Sequence, residues 1–384
     1  MTELTGYRRP DGRWGVRNHV LVMPVRAAAN LTAERIAAAV PGAVAVAHQS
    51  AGSEGGDSDR VRRTFRGFVT NPNVAEALIV GVTEGDRWLA AAAAGEGQRV
   101  EFISLAGCRG IAAAIETGRR LASDAVTRAR TAEREPMDPA ALVLGLECGG
   151  SDAVSGITAN PALGVASDLL VAAGGTSVLA ETPELIGAED ILAQRAMSPE
   201  VARRVYDVIL GFERAIEELG VDVRGAQPTP GNQAGGLTTI EEKSLGAAKK
   251  GGNAPVSGVV DYAERPLGPG LHIMDTPGQD IEQMVGMAAG GCQIVAFTTG
   301  RGTPTGSPIA PCLKIATNSA TFARLVGDID LDAGAILDGR ETVRSMGERI
   351  YDSLLRVAGG ELTTSERRGN REFAISRTSY PIPA

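Results

Sequence analysis

Between positions 147 and 161 the chain packs one thiol, two carboxylates, three hydroxyls, an amide side chain and three glycines. The stretch opens as Glu147-Cys148-Gly149-Gly150-Ser151-Asp152 and closes on Asn160-Pro161. Such a set can ligate a cation or orient a polar substrate, and a plain connector needs none of it. Glu147 and Asp152 would raise a neighbouring thiol's pKa, which argues against Cys148 as a nucleophile unless a metal is present. Metal ligation is then the sharper reading of Cys148, and inert packing the bland one.

Other candidates stand where apolar runs end. Glu181 follows 177–180 and Asp275 follows 271–274. Glu184 and Glu189 flank a helix start, where the dipole alone explains an acid. Of three histidines, His272 lies inside a strand pattern and reads as structural. His48 ends an apolar run and opens a Gly-rich loop, so it is a base, a metal ligand or a structural group. His19, after Arg17-Asn18, either orients substrate or caps the sheet. The loop Gly300 to Ser307 has the wrong spacing for a phosphate loop and no Lys after its last Gly. It reads as a Gly-rich turn or as an anion grip built from hydroxyls, amides and Arg301. Oxygen-rich ligation with few His and Cys points to Mg²⁺, Mn²⁺ or Fe²⁺ rather than structural zinc. Neither a GxSxG elbow nor a dinucleotide fingerprint after the first strand is present.

The elements that must position these groups follow from periodicity. Apolar runs at 20–25, 43–47, 75–82 and 100–105 alternate with helical patterns at 31–40, 60–66, 84–94 and 111–131. Strands spaced by helices mean a parallel sheet with helices on both faces. The polar stretch 133–139 reads as a linker, giving an N-terminal flavodoxin-like α/β domain over 1–135 and a catalytic α/β domain over 136–384. Both are expected as three-layer structures with mostly parallel sheets, the second with long irregular loops such as 227–238. In the second, a polar cap followed by proline recurs at Asn160-Pro161, Thr182-Pro183, Ser198-Pro199 and Thr276-Pro277. Proline at the first helical position loses no hydrogen bond, so each pair predicts a helix start. Thr239 with Glu242 fits a capping box.

A length of 384 residues suits two domains. Aromatics at only 4%, with abundant Ala and Gly, suit close helix-to-strand packing. The net charge of −8 recruits neither nucleic acid nor an anionic membrane. No apolar run reaches the roughly 18 residues of a span, and the first ten residues lack a signal peptide's apolar core. Four cysteines without CxxC spacing (Cys108, Cys148, Cys292, Cys312) fit reduced thiols and a cytoplasmic protein.

Residues Gly6 to Asn18 resemble the opening of the large-subunit region of the altronate/galactarate dehydratase family. So do Cys148 to Pro161, Glu181-Thr182-Pro183-Glu184, Gly231 to Lys243, Met274 to Gly278 and Phe297 to Gly302. The resemblance implies a metal-dependent lyase, with Fe²⁺ or Mn²⁺ favoured and Mg²⁺ allowed, that dehydrates sugar acids to 2-keto-3-deoxy acids. The family's other branch eliminates sulfite from (2R)-sulfolactate. Val16-Arg17-Asn18-His19 and Asn370 to Phe373 resemble that branch, while Cys148 to Asp152 and Asp275 to Gly278 resemble the dehydratases. Ser53 and Thr83 stand where altronate members typically carry cysteines, which argues against a thiol-rich metal site.

On this resemblance Cys148, Glu181 and Asp275 are expected to hold the metal, with His48, Lys243, Asp152 and Glu184 catalytic. Arg17, Asn18, His19, Ser151, Asn160, Asn232, Thr299 and Arg301 are expected to grip the substrate. The partners implied are a small hydroxy acid, a separately encoded small all-β subunit and further copies of this chain. A non-catalytic ligand-binding subunit is the third alternative.

Overall fold

The computed structural model describes residues 4–52 and 55–378; Ser53 and the Pro-rich end of the chain lie outside these ranges. Strands β1 (Thr5–Arg8) and β2 (Trp14–Gly15) pair antiparallel. Then β3 (His19–Pro24), β4 (Ala43–Ala45), β5 (Val74–Gly81) and β6 (Arg99–Ser104) form a parallel sheet in the order β4-β3-β5-β6. Helices Asn30–Ala38 and Ile111–Thr131 bury Ile36, Ala122 and Val126 on one face, against Val20, Val22 and Val80. Helices Ser58–Val69 and Trp88–Gly95 bury Phe65, Phe68 and Leu89 on the other, against Leu21, Met23 and Ile79. The alternation of these strand residues between two cores is the period-two rule at work. The polar stretch 133–139 is partly structured: β7 (Glu135–Pro136) returns to β1 and closes a small antiparallel sheet.

The second sheet is parallel and seven-stranded. Its strands are β8 (Val143–Cys148), β9 (Thr176–Leu179), β10 (Val256–Val260), β11 (Gly270–Met274), β12 (Ile294–Thr299), β13 (Cys312–Ala316) and β14 (Leu331–Asp332). They lie in the order β10-β11-β9-β8-β12-β13-β14. Helices Ala159–Ala172 and Val343–Ala358 cover one face. Helix Asp280–Ala289 covers the other and also packs on helix Ser58–Val69, so one helix joins the two sheets. Gly67 permits that contact: a Cβ there would run into the Ala289 carbonyl. The chain is thus an α/β protein with a parallel sheet at the centre of each three-layer unit.

Adjacent strands β8 and β12 send their connections in opposite directions, β8 to β9 and β12 to β13. A crevice opens outside the carboxyl ends of such a strand pair, where open α/β sheets bind ligands. The loops after Cys148 and after Thr299 flank that crevice, and this topology positions the site.

The proline device holds at one of its four expected positions. Ser198 caps helix Pro199–Glu217, its Oγ accepting from the Val201 amide at 3.3 Å. At Asn160-Pro161 the helix has already begun at Ala159, and Asn160 points inward instead. At Thr182-Pro183 only a 3-10 turn forms, over Thr182–Leu185, and at Thr276-Pro277 the helix waits until Asp280. At the last two positions the Thr hydroxyl has a stronger long-range partner than a local amide, as shown below. The 227–238 loop is less irregular than expected, containing the short helix Pro230–Ala234. Thr239 accepts from the Glu242 amide at 3.1 Å, but Glu242 turns to the Thr238 amide and hydroxyl, so half of the capping box forms.

Candidate active site

Cys148 is the last residue of β8 and is buried on the face covered by helix Ala159–Ala172. Its amide donates to Glu181 Oε1 at 2.6 Å and its thiol to Oε2 at 3.2 Å. Glu181, just past β9, adopts a left-handed backbone with φ 76°, which costs a non-glycine residue on the order of 1 kcal/mol or more. Long-range hydrogen bonds hold it there: its amide donates to Thr276 Oγ1 at 2.7 Å, and Thr182 Oγ1 donates to Asp275 Oδ1 at 2.8 Å. The two Thr-Pro junctions are therefore tied to each other, which is why neither threonine caps a helix. The second carboxylate, Glu184, lies within 3.5 Å of the thiol.

Two lysines complete the cluster. Lys243 Nζ reaches Glu184 at 2.6 Å, Ser151 Oγ at 2.7 Å and Cys148 Sγ at 3.6 Å, one acceptor for each ammonium proton. Lys250 pairs with Glu181, and both side chains are wholly buried. Burial by itself would lower both lysines. The Cys148 sulfur, once ionised, and the Glu181 and Glu184 carboxylates outweigh it and hold both ammoniums above their ordinary range. Burial, then the Glu181 charge, pushes the Cys148 thiol up to about 12. Burial also raises Glu184, against the opposing pull of Lys243. At rest the site holds two ammoniums, a protonated thiol and a carboxylate of increased basicity.

Three donor atoms, from Cys148, Glu181 and Glu184, lie within 4.8 Å of one another. That is about the largest separation of two donors sharing one ion at distances of roughly 2.0–2.3 Å. One thiol and two carboxylates suit a borderline divalent cation, so the residues fit a metal. Glu184 takes the place expected for Asp275, whose carboxylate holds the Thr182 hydroxyl.

Other expected residues form the walls. Ser151 belongs to the cluster through Lys243. Asp152 is fully engaged: Ser155 Oγ donates to Oδ1 at 2.8 Å, and Thr317 Oγ1 and Asn318 Nδ2 donate to Oδ2 at 2.7 and 2.9 Å. It ties the loops after β8 and β13 together. Asn160 Oδ1 accepts from Thr298 Oγ1 at 2.6 Å and its Nδ2 donates to the Gly246 carbonyl at 3.0 Å, fixing helix Ile240–Ala248 against the sheet. The amides of Gly300 and Arg301 both donate to the Gly150 carbonyl at 3.1 Å. Thr299 Oγ1 accepts from the Gly302 amide at 3.0 Å. Arg301 is exposed, with Gly231 against its guanidinium, and buried Asn232 follows on the same turn.

The structure does not bring Arg17, Asn18, His19 and His48 to this cluster. All of Arg17's nitrogens are engaged, on Glu366 at 2.7 Å and 2.9 Å and on the carbonyls of Val16, Val357 and Glu361. Asn18 bridges Arg9 and the Ala129 carbonyl. His19 is half-buried, and burial pulls its pKa down to about 4. His48 Nδ1 accepts from the Ser50 amide at 3.1 Å, Nε2 faces the Pro24 carbonyl at 2.8 Å, and the ring packs on Phe65. These positions serve the first sheet and its junction with the C-terminal segment.

Lys250 escaped the sequence reading, and Glu147 entered it only as an acid beside Cys148, without its complete burial. Lys250 had a signal: it is seven residues after Lys243, nearly two helical turns, and so shares its face. The burial of Glu147 had none, because strand parity alone does not say that both faces are buried.

Among the described residues no helix is long and apolar enough to cross a membrane. Residues 140–380 match the model of the D-galactarate/altronate dehydratase C-terminal domain, and residues 6–130 that of the D-galactarate dehydratase/altronate hydrolase second domain. The (2R)-sulfolactate sulfo-lyase subunit beta of Chromohalobacter salexigens is 37% identical, covering 97% of this chain and 96% of that one. The altronate dehydratase of Escherichia coli K12 is 36% identical over 99% of this chain and 79% of its own length. That of Bacillus subtilis is 34% identical over 98% and 78%. With matches of this extent along both of its sheets, the chain belongs to the galactarate/altronate dehydratase family of lyases.

Proposed function

We propose that the protein eliminates water from a sugar acid or related 2-hydroxy acid to give a 2-keto-3-deoxy acid. The observation that carries this reading is the pair of buried Lys243 with half-buried Glu184 beside Cys148 and Glu181, at the strand ends where the connections diverge. Elimination needs a base for the weakly acidic proton next to the carboxylate, and an acid for the departing hydroxide. Glu184, made more basic by burial, takes the proton from C2. The C3–O bond breaks as the C2–C3 double bond forms. The Lys243 ammonium, 2.6 Å from Glu184, gives the leaving hydroxide its proton, so water departs. The resulting enol ketonises to the 2-keto-3-deoxy acid. Lys250 keeps Glu181 in place and adds positive charge near the developing enediolate. A divalent ion, Fe²⁺ or Mn²⁺ by the donor set, would be held by Cys148, Glu181 and Glu184 and would stabilise the enediolate as a Lewis acid. Arg301, Thr299 and Asn232, on the loops lining the crevice, bind the substrate's carboxylate and hydroxyls.

The second reading is sulfite elimination. It is favoured by the 37% identity that spans 96% of the sulfo-lyase subunit. The name of that relative marks it as one subunit of an assembly, and this reading adds a separately encoded small all-β partner. Both readings use the same proton abstraction and differ in the group that leaves. Anaerobic incubation with Fe²⁺ or Mn²⁺ and a panel of aldonates and aldarates should release a 2-keto-3-deoxy acid. Pyruvate and sulfite from sulfolactate, with no product from any sugar acid, would replace the first reading by the second.

A further inference from the structure

The first sheet diverges as the second does. Strand β3 connects to β4 on one side and the adjacent β5 to β6 on the other, so a crevice opens outside the carboxyl ends of β3 and β5. A cavity of about 280 Å³ lies there, walled by Val25 and Arg26 after β3, by Asp86 and Trp88 after β5, and by one side of helix Ser58–Val69. None of its residues belongs to the Cys148 cluster, and the elimination proposed above gives it no part. Two guanidiniums line it, each fixed by the protein. Arg26 Nε donates to Asp86 Oδ1 at 2.8 Å, and Asp86 Oδ2 accepts from the Val82 and Thr83 amides at 2.8 and 3.0 Å. Burial by itself would raise the Asp86 carboxyl; those amides and Arg26 outweigh it and hold it below its ordinary range, so this acid is charged. Gly52, at φ 90°, lets the loop after β4 lie over the same guanidinium, since a Cβ there would stand 2.9 Å from Arg26 Cζ. Arg26 Nη2 makes no hydrogen bond among the described residues. Arg62 is exposed and stacks on Trp88, its Cζ 4.3 Å from the ring centroid, and no acid among the described residues pairs with it. Stacking holds the face of a guanidinium and leaves its N–H edge to a ligand.

Charge and size narrow the ligand. Two guanidiniums and one carboxylate leave a single positive charge on the cavity wall, which one monoanion balances. The planar fork of an arginine matches a carboxylate. Val25, Val61 and Phe65 supply apolar wall, and Ser50 and Ser58 supply hydroxyls. The volume falls at the lower end of small-molecule pockets, roughly 300 Å³, so the ligand is short. We propose that this crevice is a second, non-catalytic site for a small hydroxy- or keto-monocarboxylate, its carboxylate recognised by Arg26 and Arg62 and its carbon chain by Trp88 and Phe65. The assignment depends neither on which acid the Cys148 cluster turns over nor on a metal there.

Trp88 is a reporter inside the cavity, and the chain has one other tryptophan, Trp14. In full-length, chelator-treated Trp14→Phe protein, emission therefore reads Trp88 alone. Pyruvate, D-gluconate and inorganic phosphate are titrated separately. The expected result is a saturable change with pyruvate or D-gluconate and none with phosphate at the same concentrations. Arg26→Gln, added to that background, should raise the half-saturating concentration at least about tenfold, the cost of one hydrogen bond to a charged group. Arg62→Gln leaves the Arg26–Asp86 pair in place and should weaken binding likewise, read by calorimetry because it also removes the stack on Trp88. Arg301→Leu, in the other crevice, should leave the response unchanged. No saturable change with either acid, a response to phosphate alone, a response lost in Arg301→Leu, or affinity unmoved in both Arg26→Gln and Arg62→Gln overturns the proposal. Product formation from sugar acids is scored separately on wild type, so failure of the elimination reading is distinguishable from failure of this one.

Discussion

At the residue scale the site is an ion-pair network that cannot lose one member cheaply. Lys250 and Glu181 are both fully buried, and each is the charge that keeps the other tolerable. Removing one partner of a buried pair typically costs 3–5 kcal/mol, whereas replacing both by apolar groups is often neutral. Lys250→Met should therefore lower the stability of the chelator-treated protein by about 3 kcal/mol, and Lys250→Met with Glu181→Leu should recover most of that loss. Chemical denaturation of the two variants checks this; equal destabilisation by both would mean that Lys250 acts through packing. The sequence shows Cys148 and Glu181 as candidates because each sits at the end of an apolar run, whereas Glu184 reads equally as a helix-start acid and Lys243 enters only through the family resemblance. Asp275 holds the Thr182 hydroxyl and lies outside the three-donor set, and a strand-end acid looks the same in sequence in either setting.

At the element scale, glycines set how closely the loops approach. Gly235 lies over the loop after β8: a Cβ there would meet the Ser151 carbonyl at 2.8 Å and Asp152 Cα at 3.1 Å. The Ala153 amide donates to the Gly235 carbonyl at 3.0 Å across the same contact. Gly235→Ala should push the Pro230–Ala234 turn away from Ser151. An approximately tenfold loss in kcat/KM is expected, with little change in melting temperature because the loop lies outside both cores. Unaltered kinetics would separate that turn from the site. Buried parallel strands such as β12, apolar from Ile294 to Phe297, are legible as runs. Strand β13 was not, because Lys314 interrupts it; the chain buries this lysine, its Nζ donating to the Thr303 carbonyl at 2.9 Å. Nor was β10, an edge strand carrying Ser257 and Gly258. The expected helix starts failed where a threonine or asparagine found a long-range partner, a competition that local sequence does not record.

At the scale of the whole molecule, the two sheets are joined through buried polar groups as well as through helix Asp280–Ala289. Asn73 Nδ2 donates to the carbonyls of Gln293 and Ile309 at 2.8 and 2.9 Å, while its Oδ1 accepts from the Val16 amide at 2.8 Å. Asn71 Nδ2 donates to the Ala288 and Cys292 carbonyls at 2.7 and 3.0 Å. Asn73→Ala removes the side-chain partner of four buried backbone groups, the Arg17 amide at 3.3 Å being the fourth, and should cost at least about 2 kcal/mol. The denaturation curve is expected to stay a single transition, because neither unit's core is complete without the other; two separated transitions would show independent units. His48 reads as a candidate in the sequence because it ends an apolar run before a Gly-rich loop, and Arg17 and His19 because they belong to the stretch that carries the family resemblance. In the folded chain their polar atoms serve this junction and the first sheet.

In the proposed elimination Glu184 and Lys243 move the protons inside the Cys148 cluster. The most direct test is turnover of the best sugar-acid substrate by Glu184→Gln and by Lys243→Met, in protein shown to keep its fold by its near-ultraviolet circular dichroism. Loss of an acid or base commonly costs 10²–10⁴-fold, so each variant should lose at least about a hundredfold in kcat. Folded variants that both turn over at the wild-type rate would place the chemistry elsewhere.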